Sequence, residues 1–253
     1  VDRKHEFLSN LAYELVVSIG STVFSDQHLK KIYDKIHFNY DLDKREAKAI
    51  VNEIESHTGL FIQAGYSHYE FAHKSLQEFL AAEYVVKLPK IPNDPNILKR
   101  IPNELSIAVT LSSNPSAYFT ELVLKNLSQI GLPPTFYESF IDRLIQEKPD
   151  FNAFSDDVVI ALAVLYSLYI DRTIVNDTRQ LQLFYIDNLS ERFEKFVDIV
   201  CKRNPRKIIR EYYNKEQKVE SVSQIEIYAI KRKKQLIGYD IPEYLYSRLS
   251  LIG

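Results

Sequence analysis

The sequence predicts a mainly α-helical chain in which only the first third carries β-structure. Apolar residues recur at three- and four-residue spacing along most of the 253 positions, the period of helices with one buried face. Ten prolines and only six glycines punctuate the chain, largely between those apolar segments. That pattern suits helices joined by short connections. The helical period breaks before residue 90, where short β-branched and aromatic runs flank Ala64-Gly65.

Taken in order, residues 6–19 place Phe7, Leu8, Leu11, Ala12, Leu15 and Ile19 on one helical face, with Gly20 as the stop. Thr22-Val23-Phe24 reads as a short extended stretch. Ser25 then caps a helix over 26–37 whose Leu29, Ile32 and Ile36 face inward. A third helix covers 43–57 with Ala47, Ile50, Val51 and Ile54 inside, and it ends before Gly59. Leu60 to Ile62 and Tyr66 to Phe71 read as two strands turning at Ala64-Gly65. A fourth helix starts near Ser75, where Ser75 and Glu78 have the spacing of a capping box. Helix, strand, helix, helix, hairpin, helix is the order of a winged-helix domain, which the sequence predicts over residues 1–88.

Residues 89–253 read as a second, all-α domain. Lys90 to Pro95 is its entry loop, and helices are expected at about 97–112, 116–130, 135–147, 155–172, 178–203, 206–216, 223–237 and 242–251. Phe136, Phe140 and Leu144, with Ile141 and Ile145, form one apolar stripe. Val158 to Ile170 is apolar nearly all round, as expected of a central buried helix. No fixed-length repeat occurs, so the paired helices would pack as an irregular solenoid.

Composition excludes several classes of function. A net charge of −2 gives no general attraction to nucleic acid or anionic membrane. No run of 18 apolar residues is present, so no membrane helix is expected. One cysteine, Cys201, rules out an internal disulfide framework and fits a reducing, cytoplasmic setting. Its expected role is that of a small buried residue on a helix. The chain lacks methionine and tryptophan altogether, and the missing initiator predicts a piece of a longer protein. No phosphate-binding loop, G-x-G-x-x-G, H-E-x-x-H or G-x-S-x-G sequence occurs. A self-contained enzyme is therefore not expected. All six histidines (His5, His28, His37, His57, His68 and His73) precede residue 74, and His68 and His73 belong on opposite strand faces, which argues against a metal site.

The most specific stretch runs from Tyr69 to Tyr84. In it Phe71, His73, Ser75, Leu76, Gln77, Glu78, Phe79, Leu80, Ala81 and Ala82 fit the pattern F-x-H-x-[ST]-[FL]-Q-E-[FY]-[LF]-A-A at every position. This resembles the strand-to-helix junction of the winged-helix domain in NACHT proteins of the STAND class of ATPases. Thr58-Gly59-Leu60-Phe61 and Leu11-Ala12 are similar to that family too, and the resemblance covers residues 1–88. It implies an upstream NTPase core that binds ATP or ADP, with the winged helix folding back over the nucleotide. His73 would reach the phosphates of ADP and hold the closed, inactive state. A histidine next to a helix N-terminus is physically suited to an anion. The competing reading is that His73 merely caps or packs at the junction. Glu78 is explained by the capping box and Phe79 and Leu80 by the core, while Lys74 is read as a solvated charge.

On this resemblance the helical region after Pro95 would sense a ligand or mediate assembly, with homo-oligomerisation on activation. Prokaryotic members act in antiphage defence and animal relatives are innate immune receptors. The absence of L-x-x-L-x-L periodicity favours a prokaryotic member and leaves the sensed ligand open, a phage protein being one candidate. The alternative is a DNA-binding winged-helix regulator with a helical ligand or dimerisation domain. Its recognition helix, 43–57, sets Lys44, Arg45 and Lys48 against Asp43, Glu46, Glu53 and Glu55. Residues 1–88 hold ten basic and thirteen acidic side chains, the wrong balance for gripping phosphates. Residues 201–234 carry eleven Lys or Arg against four Glu near Tyr212, Tyr213 and Tyr228. Nucleic-acid contact there competes with a solvated helix face.

Overall fold

The computed structural model describes residues 2–54 and 59–151, together with Val158, Ala161, Leu162, Val164, Leu165 and Leu168. The chain is mainly helical with one small antiparallel sheet, and the described part falls into two compact units. The first gathers the chain up to Lys90 together with Asn103–Leu111; the second takes Ile91–Pro102 and the residues from Ser112 on.

In the first unit, α1 (Asp2–Ile19) buries Phe7, Leu11, Ala12 and Leu15 and packs chiefly on α4 (Lys74–Lys87), with α2 (Asp26–Ile36) beside it. Ala12, Ala81 and Ala82 are fully buried, and small residues on both helices let the backbones approach closely. Gly20 ends α1 with φ +65° and donates its amide to the Val16 carbonyl at 3.2 Å, a left-handed stop that glycine adopts without strain. Glu14, itself buried, accepts from Lys35 Nζ at 2.6 Å and ties α1 to α2.

Ser25 caps α2 as expected. Its hydroxyl accepts the His28 amide at 3.3 Å, and the Ser25 amide donates to His28 Nδ1 at 3.2 Å. His28 thus fills the place that Glu or Gln takes in a capping box. A 3-10 turn at His37–Tyr40 follows, closed by Asp41 at φ +56°. The α-helical part of the third helix starts later than the sequence suggests. The helix opens as a 3-10 turn, Lys44–Glu46, before α3 (Ala47–Glu53), and positions 55–58 of the expected span lie outside the described residues.

The sheet consists of β1 (Val23–Ser25), β2 (Phe61–Gly65) and β3 (His68–Phe71) in the order β1-β3-β2, all antiparallel. The extended stretch after α1 therefore joins the hairpin as a third strand. Val23 and Ile62 both face Glu70, while Phe24 and Gln63 face Tyr69. This alternation sends Phe24, Phe61 and Phe71 to the inner face, where their rings meet edge to face at 4.9–5.9 Å. The hairpin turns at Tyr66-Ser67, later than the expected Ala64-Gly65. Gly65 (φ +140°) instead lies beside the register irregularity that follows Gln63, and Ser67 takes the left-handed position at φ +55°.

In the following region proline places the helix starts. Pro95, Pro115 and Pro134 each occupy the first turn of a helix, α5 (Pro95–Leu98), α7 (Pro115–Glu121) and α8 (Pro134–Glu147). There the missing amide costs nothing. Asp94 and Asn114 cap the first two, accepting the Asn96 and Ala117 amides at 2.8 and 3.1 Å. The single helix expected at 97–112 is two, because Pro102 opens α6 (Pro102–Leu111) and cannot continue the helix before it. Likewise 116–130 is divided: α7 passes into a π-helical turn, Leu122–Asn126, and then a 3-10 turn, Leu127–Gln129. α8 has the expected stripe, with Phe136, Tyr137, Phe140, Ile141 and Leu144 buried. Val158, Ala161, Leu162, Val164, Leu165 and Leu168 are helical and buried, as a central helix requires. The helices expected from 178 on, Cys201 and the basic segment 201–234 lie outside the described residues. Among the described residues no helix is long and apolar enough to cross a membrane.

Candidate functional site

The site the sequence singles out is the junction between β3 and α4. Phe71 ends the strand in the core, and the Ala72 amide is fixed to the Leu60 carbonyl at 2.8 Å. His73 follows in extended conformation (φ −137°, ψ +127°) as the cap residue of α4. Its carbonyl accepts the amides of Leu76 and Gln77 at 3.0 and 3.4 Å, but its imidazole makes no capping bond. The ring is exposed at the start of a 14-residue helix, whose dipole favours an anion at that end.

The other described histidines are all engaged. His5 Nε2 contacts Glu83 Oε2 at 2.5 Å, His28 completes the Ser25 cap, and His37 Nδ1 bonds the Leu42 carbonyl at 2.8 Å while stacking on Tyr33. His68 Nδ1 bonds the Tyr66 carbonyl at 2.8 Å. Each of these rings has a partner within the protein. Among the described residues His73 is the histidine whose ring has no such partner, and His57 lies outside them.

The capping box expected from Ser75 and Glu78 does not form. α4 begins ahead of Ser75, which is exposed within its first turn. Glu78 is buried and its carboxylate accepts Asn103 Nδ2 at 2.9 Å, with Lys74 Nζ at 3.5 Å. A buried carboxylate satisfied by the half-buried Asn103 amide outcompetes a solvent-exposed cap. Lys74 is accordingly paired, not simply solvated. Asn103, 25 positions away in sequence, was not legible as a partner, because nothing local links it to Glu78. Gln77 is also buried, at 4% exposure, and Phe79 remains 39% exposed where a core position was expected.

No group of three His, Cys, Asp or Glu side chains suited to a metal ion occurs among the described residues. On the candidate recognition helix, Arg45 is already engaged by a neighbouring carboxylate. Arg45 folds onto Asp43 through contacts of 2.7–3.2 Å, and the guanidinium holds the Asp43 carboxyl below its usual range. Glu53, on the same helix, holds Lys4 at 2.7 Å.

No protein-family model, curated protein or solved structure matches the chain.

Proposed function

We propose that this chain is the regulatory and sensing portion of a NACHT-type STAND ATPase. Residues 1–88 act as a winged-helix module that closes over ADP, and the helical region beyond senses a ligand or drives assembly. The observation that carries this reading is the exposed imidazole of His73, without a hydrogen-bond partner among the described residues, at the head of α4. The succession α1-β1-α2-α3-β2-β3-α4, with sheet order β1-β3-β2, supports the winged-helix part.

In this mechanism the nucleotide core lies upstream in the same polypeptide, and His73 donates a ring N–H to a phosphate oxygen of ADP. That contact favours the closed arrangement by the free energy of one charge-assisted hydrogen bond, about 1.5–3 kcal/mol. Exchange for ATP withdraws the bias and lets the protein homo-oligomerise. The module works in the cytoplasm in innate, antiphage defence, with a phage protein as the candidate sensed ligand. It is not itself an enzyme.

The test is ADP retention by the polypeptide that includes the nucleotide core, with and without His73→Ala. The expected outcome is about ten- to hundredfold weaker retention with spontaneous assembly. Unchanged retention and assembly in a folded variant would sink the reading.

A further inference from the structure

An apolar cleft of about 300 Å³ opens in the first unit between the N-terminal half of α1 and α3. Phe7 and Ile54, both 5% exposed, form its floor, and the half-buried Leu8, Leu42 and Ile50 form its walls. Tyr40 closes one side, its ring 5.5 Å from that of Phe7. The volume is at the lower end of small-molecule sites, which are mostly apolar with a few polar groups that fix orientation.

The lip supplies those polar groups in Arg3, Lys4, Glu46 and Glu53, and its two cations are both already paired. Lys4 is held by Glu53 at 2.7 Å and Arg3 by Asp41 at 2.9 Å. The neighbouring Arg45 is turned onto Asp43 at 2.7 Å. Glu46, also on the lip, is exposed and makes no side-chain hydrogen bond or ion pair among the described residues. An anionic ligand would have to break an existing pair to find a cation. A cationic ligand meets a carboxylate already available beside an apolar chamber with two aromatic rings in its lining.

We propose that this cleft is a binding site for a small amphiphilic cation, a compact aromatic or apolar group joined by a short chain to an ammonium. The ring enters between Leu8, Leu42 and Ile50, and the ammonium pairs with Glu46 at the mouth. The site is separate from the β3–α4 junction and does not depend on the function assigned to His73.

Tryptamine is a probe of suitable size, and indole-3-propionate carries the same ring with the opposite charge. Titrated into the full chain by calorimetry, tryptamine is expected to bind saturably at one site. Glu46→Gln is expected to weaken it about fivefold and indole-3-propionate to bind about tenfold more weakly than tryptamine. Ile50→Gln, which replaces a cleft wall with a polar group, should weaken the probe to a similar degree while circular dichroism reports an intact fold. Three results would overturn the proposal: no saturation up to about 10 mM tryptamine, equal binding of the two charge types, or binding indifferent to Glu46→Gln or Ile50→Gln.

Discussion

Tyr118 on α7 turns its hydroxyl into the protein, where the oxygen is buried and has no hydrogen-bond partner among the described residues. Burial first, and the nearby Glu121 second, push its ionisation well above the usual 10.0. The sign of the consequence follows from linkage. Below pH 10 both folded and unfolded chains keep the proton, and the stabilising effect of the neutral ring is fully present. Above pH 10 the unfolded chain loses its proton first, so stability falls as pH rises toward the folded-state value. Tyr118→Phe should shift the alkaline unfolding midpoint, followed by circular dichroism, to higher pH. At pH 7 it should be neutral or stabilising by at most about 1 kcal/mol, since a buried hydroxyl without a partner is being removed. Single residues of this kind are hard to read from sequence. Tyr118 has the same spacing as a core aromatic, and only the packing around it reveals that its oxygen goes unmatched. His73 is the opposite case, marked out by the motif around it, although the motif could not say whether the ring would be free.

Whole elements were more legible, because their start and stop signals act locally. Ser25 before an apolar-periodic run, Gly20 after one, and proline at the head of a helix each act through the few bonds next to them. Ser25→Ala should therefore cost about 1 kcal/mol, read as a lower urea midpoint with unchanged slope. A loss of less than about 0.3 kcal/mol would mean that the sheet, and not the cap, fixes the start of α2. Local signals failed where a tertiary partner competed for the same group. The Ser75–Glu78 spacing is a valid cap signal, yet Glu78 is drawn into the interior by Asn103. The π-helical turn at Leu122–Asn126 likewise has no local marker, and its Leu122, Val123 and Leu124 are all buried. Just beyond it the buried Ser128 hydroxyl donates to the Leu124 carbonyl at 2.6 Å, a back-bond of the kind that bends helices.

For the molecule, the unit boundary does not follow a single cut in the chain. Asn103–Leu111 of α6 belongs with the first ninety residues, while the segment between them does not. A fragment ending at Lys90 would lose the Asn103 partner of Glu78 together with the apolar α6 side chains Leu105, Ile107, Ala108 and Val109. A fragment of residues 1–111 should consequently unfold cooperatively in urea, whereas residues 1–90 should be less stable by more than about 2 kcal/mol. Equal midpoints for the two fragments would show that α6 adds nothing to the first unit.

The amino-acid sequence by itself determined the helical class, the position of the small β-region and most helix starts. Each of these depends on periodicity or on a cap within a few residues, where chain connectivity already brings the groups together. Only the tertiary structure decided the third strand's pairing, the Glu78–Asn103 bond, the free ring of His73 and the cleft beside Glu46. Those depend on groups distant in sequence competing for the same buried space and the same hydrogen bonds. That competition is settled by packing, which no local spacing encodes.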